Sequence, residues 1–165
     1  MKECKEILTT WLNNAYAMEK SMVKTLKAHA DDAREWDLME LADELEQHVN
    51  DTELQANRLK DAIEKLGGDV SKLKEESAEL SGIMQGVMNE MTGDKVVKNT
   101  IAEHAAEHFE MATYMAIARA AENCGEDEVA EMAKSILEEE KSSGEELEQE
   151  LNMVVDAYMD RQMGE

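Results

Sequence analysis

The sequence contains no proline and only two cysteines, and aromatic residues make up 4% of its 165 positions. Without proline, long helices need not be interrupted. Glycine is also scarce, with 8 residues, and β-branched residues nowhere alternate over the length of a strand. The remaining composition is rich in Ala, Leu, Met, Glu and Lys, which lose little side-chain entropy in a helix. These absences argue against a sheet and predict an all-α protein.

Positive charge is also in short supply. The chain has 17 Lys and Arg against 39 Asp and Glu, which gives a formal net charge of −22. Such a surface repels phosphate groups, so we expect neither nucleic acid nor membrane as a partner, whereas metal cations are natural counter-species. No apolar run approaches the roughly 18 residues of a membrane span, and no apolar signal core follows the charged amino terminus.

The two cysteines, Cys4 and Cys124, have neither the spacing of a metal site nor that of a disulfide framework. Intracellular compartments keep such isolated thiols reduced. We therefore expect two free thiols in a cytoplasmic protein.

Apolar residues at helical spacing predict four long helices and a shorter one in a single domain, residues 1–165. The helices are expected at about 3–30, 35–66, 75–92, 94–123 and 127–160. The connections between the long helices are then short, long and short, with Gly67-Gly68 and Gly125 as helix stops. One long central crossover is typical of a ferritin-like four-helix bundle. We predict two antiparallel hairpins joined by a crossover that contains the short helix.

Polar side chains occupy interior positions near the middle of each long helix. In the third, residues 104–110 read His-Ala-Ala-Glu-His-Phe-Glu, two imidazoles and two carboxylates within about two turns. The other three helices contribute Glu19, His48 with Asp51 beside it, and Glu140. A carboxylate at such a position is costly to bury unless it is paired or binds a metal.

Distance from the turns places these groups at one level of the bundle. Residues equally far from the turn of an antiparallel hairpin lie at equal height, because a helix rises 1.5 Å per residue. With turns near residues 33 and 125, Glu19, His48, Glu110 and Glu140 all lie about 14 or 15 residues out, and Glu107 about one turn further. Oxygen and imidazole ligands suit iron and manganese. The pattern predicts a site for two divalent metal ions.

Each of these residues also has a purely structural explanation. Glu19 taken alone is more often a boundary residue, and His48 taken alone is more often a hydrogen-bonded core histidine. Of His104 and His108, only one can face inward with Glu107. His104 is a possible additional ligand, and we expect His108 to lie outside the site.

Four short motifs, in order along the chain, carry a family resemblance. They read Ala-Tyr-Ala-Met-Glu-Lys (15–20), His-Val-Asn-Asp-Thr (48–52), Glu-His-Phe-Glu-Met-Ala-Thr-Tyr (107–114) and Glu-Glu-Lys (139–141). Over roughly Ile7 to Leu151 the chain resembles the YciF-like branch of the ferritin-like superfamily, small bacterial proteins linked to stress responses. The resemblance implies a homodimer with two iron ions, or manganese, bound by Glu19, His48, Asp51, Glu107, Glu110 and Glu140.

Two positions depart from the family pattern. Asp51 stands where the family usually has Glu, so its carboxylate is one methylene shorter. In the superfamily, a Glu of the fourth helix is generally followed by a histidine three residues later. Here the residue three positions after Glu140 is Ser143. Both departures bear on how the second metal ion would be held.

Three functional hypotheses follow. The first is a di-iron or di-manganese protein. One form of this hypothesis is an oxidase or peroxidase that acts in a stress response, and whether the protein is an enzyme is left open. The second is a non-catalytic bundle for dimerisation or partner binding, whose metal site has degenerated into a buried hydrogen-bond network. The third is iron storage in a hollow shell, for which no sequence feature argues.

Overall fold

The computed structural model describes residues 2–70 and 95–164, and four α-helices make up nearly all of these two ranges. The helices are α1 (Lys2–Glu35), α2 (Met39–Lys65), α3 (Lys95–Cys124) and α4 (Asp127–Met163). Neither range contains a strand, which confirms the all-α prediction. The short helix predicted at about 75–92 lies outside the described residues. None of the four helices is both long and apolar enough to span a bilayer.

Two antiparallel hairpins build the bundle, α1 with α2 and α3 with α4. Each hairpin turn contains a residue in the left-handed region, Asp37 with a φ of 58° and Gly125 with a φ of 70°. Gly67, with a φ of 83°, follows α2 and ends it as predicted. Glycine adopts this conformation without the steric strain that a Cβ introduces.

The ends of the helices show that α2 ends and α3 begins at opposite ends of the bundle. Asp32, near the end of α1, pairs with Lys95 at the beginning of α3, with 2.5 Å between oxygen and nitrogen. Cys4, near the beginning of α1, is bonded to Cys124, the last residue of α3, so these two helices are antiparallel. Helix α2 ends beside the beginning of α4, at the end of the bundle opposite Lys95. The long crossover and the ferritin-like topology are confirmed.

Helix α1 extends to Glu35, beyond its predicted end, because tertiary contacts hold its last turn. Ala33 is completely buried, and Asp32 accepts a hydrogen bond of 2.9 Å from Asn99 Nδ2 on α3. The turn is formed instead by residues 36–38.

The expectation of two free thiols is wrong, because Cys4 and Cys124 form a disulfide. Their separation of 120 residues gives no local signal of pairing. The antiparallel packing of α1 on α3 brings their Cα atoms to 5.7 Å, a typical disulfide separation.

The hydrophobic core consists of two clusters, one after the other along the bundle. The first fills the disulfide end and includes Met18 of α1, and the second begins at Met22 of the same helix. Glu19 lies between these two residues with 1% of its surface exposed. The polar side chains that interrupt the apolar core here form what we call the polar layer: Glu19, His48, Gln55, Glu107, Glu110 and Glu140.

Candidate metal centre

The centre of the polar layer is a group of three side chains from three helices: His48 on α2, Glu107 on α3 and Glu140 on α4. One nitrogen or carboxylate oxygen of each lies within 4.8 Å of the others. His48 Nε2 is 3.1 Å from Glu107 Oε1. Both glutamates are buried, and His48 retains 17% exposure of its side chain. Groups this close can share one small cation.

Two further carboxylates lie in the same layer. Glu19 projects from α1 and Glu110 from α3, and both are buried. The hydroxyl of Tyr114, one turn after Glu110, donates a hydrogen bond to Glu19 Oε1. All four helices therefore contribute to the layer, although the turn at residues 36–38 places Glu19 about 18 and His48 about 11 residues from it, not equally far as predicted.

Glu107 is the clearest sign that the layer needs a positive partner. It is completely buried, and neither of its carboxylate oxygens receives a hydrogen bond. His48 lies at ion-pair distance but outside hydrogen-bonding geometry. Glu140 can bond to Glu107 only as a protonated acid. Because an unpaired buried carboxylate costs several kcal/mol, protons or metal ions must neutralise this group.

The pKa values of three carboxyl groups in the layer, those of Glu19, Glu110 and Glu140, are raised. Burial, with a smaller contribution from the charge of Glu107, raises the pKa of Glu19 to about 7. The same two causes raise the pKa of Glu140 to about 10. Burial and the charge of Glu19 hold the pKa of Glu110 well above its usual range. Without metal, the layer therefore retains protons at neutral pH, and a bound cation would displace them.

The pKa of His48 is also raised. Burial is the largest single influence and lowers it, but the contact with Glu107 and the surrounding acidic charges together outweigh burial. His48 is thus the one side chain of the group that can carry a positive charge when no metal is bound.

Gln55 is part of the layer, although the sequence pattern shows it only as a polar residue on an apolar stripe. Its Nε2 donates to Glu140 Oε1 and, at 3.2 Å, to Glu139 Oε2. Arg58 Nη1 donates to Glu139 Oε1 at 2.8 Å. These donors of α2 hold the Glu139–Glu140 segment of α4 in place. The spacing of seven residues from His48 is the signal that could have identified Gln55.

Asp51 and His104, two of the predicted candidates, lie outside the layer. Asp51 is exposed and accepts a hydrogen bond of 3.2 Å from Gln47 Nε2. His104 is half-buried, and its ring centre lies 5.0 Å from that of the exposed His108. The structure therefore brings together Glu19, His48, Glu107, Glu110 and Glu140 but not Asp51.

The donor set fits a pair of hard divalent ions. Four carboxylates and one imidazole would suit iron or manganese, and the oxygens of Glu107, which receive no hydrogen bond, would be available as ligands. Bound there, such ions would supply electron transfer to small oxidants. Apolar clusters lie on both sides of the layer, and Tyr114 and Gln55 orient the carboxylates of Glu19 and Glu140.

Comparison with known proteins identifies the family and the fold. Residues 3–160 match the family model described as Domain of unknown function (DUF892). A protein from Xanthomonas campestris pv. campestris is 30% identical, with a TM-score of 0.79 over 98% of this chain and 99% of that one. The Escherichia coli stress protein YciF is 24% identical, with a TM-score of 0.77 and coverages of 94% and 99%. A bacterioferritin from Desulfovibrio desulfuricans, studied for its diiron site, is 20% identical, with a TM-score of 0.76 and coverages of 94% and 84%.

Proposed function

We propose that this chain, which belongs to the DUF892 family and has the ferritin-like fold of its YciF-like relatives, binds two divalent metal ions in its polar layer. The observation that carries the proposal is Glu107, which is completely buried, receives no hydrogen bond at either oxygen and is grouped with His48 and Glu140. The diiron site of a bacterioferritin with this fold supports iron as the metal, and manganese has similar ligand preferences.

The proposed ligands are the five side chains that meet in the layer. His48, Glu107 and Glu140 form the central group, and Glu19 and Glu110 add two carboxylates. Asp51 and His104 stay outside this set, because neither reaches the layer in the structure.

Metal loading tests the proposal directly. Metal-free protein exposed anaerobically to Fe²⁺ should retain about two irons per chain after desalting, as two-metal sites of this fold do. The double substitution Glu107→Ala and Glu140→Ala should abolish retention. The matched control, Glu131→Ala with Glu138→Ala, removes two exposed carboxylates from α4 and should retain iron normally. Equal retention by both double variants would rule out the centre.

The finer form of the proposal is an oxidase or peroxidase activity in a stress response, supported by the description of the E. coli relative as a stress protein. Iron-loaded protein should then consume O₂ or H₂O₂ faster than zinc-loaded protein, because zinc has no redox chemistry. Equal consumption by the two forms would restrict the function to metal binding.

One observation favours a non-catalytic bundle as the second candidate. Helix α2 turns Thr52 and Gln55 toward the interior, and neither has the carboxylate or imidazole that iron prefers. In such a bundle, shared protons rather than metal ions would neutralise the carboxyl groups of the layer. A melting temperature that neither chelator nor added metal changes would support it, because a ligand bound only by the native state must stabilise that state.

A homodimer and a cytoplasmic location also remain proposals. Sizing chromatography tests the first and would reveal a shell-like assembly at once. The Cys4–Cys124 disulfide counts against the cysteine argument for the second, because reducing compartments rarely hold structural disulfides.

A further inference from the structure

Gln55 is the amide of the polar layer, and it is buried with 4% of its surface exposed. Its Nε2 faces two carboxylates of α4, that of Glu140 in the layer and that of Glu139 beside it. Ionised carboxylates only accept hydrogen bonds, so an amide placed between two of them must present its NH₂ group. The two hydrogens of that group match the two acceptors.

The hydrogen bond to Glu140 fixes a proposed metal ligand before an ion arrives. Glu140 Oε1 accepts from Gln55 Nε2, which restricts the rotation of a carboxylate that belongs to the central group with His48 and Glu107. The donor is neutral. It therefore leaves the negative charge of Glu140 available to a cation, whereas a Lys or Arg at this position would neutralise that charge.

The second acceptor of Gln55 connects the amide to an ion pair. Glu139 Oε2 accepts from Gln55 Nε2 at 3.2 Å, and Glu139 Oε1 accepts from Arg58 Nη1 at 2.8 Å. Arg58 Nη2 also donates to Glu139 Oε2, so the guanidinium makes a two-point contact. Ser135 Oγ donates to Glu139 Oε1 at 3.2 Å. Two-point contacts between arginine and a carboxylate hold both groups in a defined geometry.

A continuous series of contacts therefore leads from the surface to the metal centre. The side chains of Arg58 and Glu139 retain 34% and 42% exposure, whereas Gln55 and Glu140 are buried. Arg58 follows Gln55 by three residues, so the two project from the same side of α2. Loss of the ion pair would release the acceptor that holds one hydrogen of the amide, and with it the orientation of Glu140.

We propose that Gln55 is a positioning residue of the metal centre, and that the Arg58–Glu139 ion pair holds its amide in place. Groups that bind no ion themselves then set the metal affinity of the centre. The inference rests on the proposed function, because it requires Glu140 to bind a metal ion. It also accounts for an amide, rather than a further ligand, at this interior position of α2.

Titration of metal-free, full-length protein with Co²⁺ alone tests the inference, because the visible absorption of Co²⁺ reports both the amount bound and the arrangement of its ligands. The variants are Gln55→Leu, which removes the amide at similar size, and Arg58→Ala. The control for the first is Gln47→Leu, an exposed glutamine of α2 that donates to an exposed carboxylate. The control for the second is Arg119→Ala, which breaks an exposed ion pair on α3.

We expect Gln55→Leu to weaken Co²⁺ binding about 10–100-fold, as removal of a residue that orients a metal ligand typically does, and to change the absorption of the bound ion. Arg58→Ala should change both in the same direction but less. Arg58→Lys should restore only part of the loss, because an ammonium group cannot make the two-point contact. Both controls should behave as the wild type. A variant that was only less stable would give the wild-type absorption once saturated.

Wild-type affinity and absorption in Gln55→Leu would overturn the inference. If that variant fails to fold, Gln55→Met, which keeps an unbranched side chain without the amide, replaces it. A wild-type response of Arg58→Ala would remove the ion pair from the inference and leave Gln55. If the wild type binds no Co²⁺, or if Glu107→Ala with Glu140→Ala binds it equally well, the proposed function itself fails, so the two failures are distinguishable.

Discussion

Tyr114 has no exposed surface, and its hydroxyl donates a hydrogen bond to the carboxylate of Glu19. Because removing one partner of a buried hydrogen bond leaves the other unsatisfied at a cost of about 1–3 kcal/mol, Tyr114→Phe should lower the free energy of unfolding of the metal-free protein by about that amount. Urea unfolding measures the change. Thr113→Ala, which removes a half-buried neighbouring hydroxyl that bonds only to the backbone carbonyl of its own helix, is the control and should have a smaller effect. A loss below about 0.5 kcal/mol would mean that the bond contributes nothing net.

The pKa shifts of the polar layer predict an unusual dependence of stability on pH. The folded-state pKa of Glu19, about 7, lies above its ordinary 4.5, and that of Glu140 is about 10. Between the ordinary and the raised pKa, the native state binds more protons than the unfolded state. Its free energy of unfolding must therefore fall as pH rises through this window.

Metal-free protein should accordingly be less stable at pH 8 than at pH 5, by a few kcal/mol. Urea unfolding in the presence of chelator measures this slope, and Glu19→Gln with Glu140→Gln should flatten it. With saturating Mn²⁺ the slope should reverse, because metal ions compete with the protons of their ligands. Stability that rises with pH in the metal-free protein would contradict the assignment of raised pKa values.

At the scale of the helix, two glycines should respond to alanine in opposite ways. Gly144 lies within α4, where an added Cβ would meet only Met111 Cε, at an ordinary 3.8 Å. Gly144→Ala should therefore raise the free energy of unfolding by about 0.5–1 kcal/mol. Gly67 has a φ of 83° with open space around it, so Gly67→Ala should lower it by about 1–2 kcal/mol through backbone strain alone. Thermal unfolding of both variants checks the pair, and a stabilised Gly67→Ala would contradict the left-handed assignment.

The helices and their topology are predictable from sequence because helical periodicity and turn chemistry are local. The last turn of α1 was not predictable, since Asp32 is held by Asn99, a residue far along the chain. The level of the site was predictable on α3 and α4, because their turn lies where the sequence places it and a regular helix converts sequence distance into height. On α1 and α2 the turn lies at residues 36–38, so Glu19 and His48 are about 18 and 11 residues from it and their equal height was not correctly predicted. Whether Asp51 contributes to the site was not predictable, because a residue beside an apolar stripe can face either the interior or the solvent.

The pairings that depend on the packing of distant helices give no sequence signal. The contact between His29 and Glu103 joins α1 to α3 across 74 positions. The Cys4–Cys124 bond spans 120 positions and looks like two unrelated thiols until the antiparallel packing is known.

At the scale of the whole molecule, the disulfide should contribute strongly to stability. It joins residues 120 positions apart, so the chain-entropy model predicts a contribution of up to about 5 kcal/mol. Dithiothreitol should lower the denaturant midpoint of the wild-type protein markedly. The double variant Cys4→Ser and Cys124→Ser should have that lower midpoint both with and without the reductant. A midpoint that the reductant leaves unchanged would show that the bond is dispensable.

Glu19 and Glu110 interrupt the apolar core near the middle of the helices, so we expect the local stability of the protein to be lowest there. Helices ordinarily fray from their ends. In the metal-free protein, however, the backbone amides near the middle of the helices should exchange with deuterium sooner than those of either apolar cluster. Mn²⁺ should slow that exchange selectively. Bound ions would then hold the two apolar clusters together across a layer of carboxylates that otherwise repel one another.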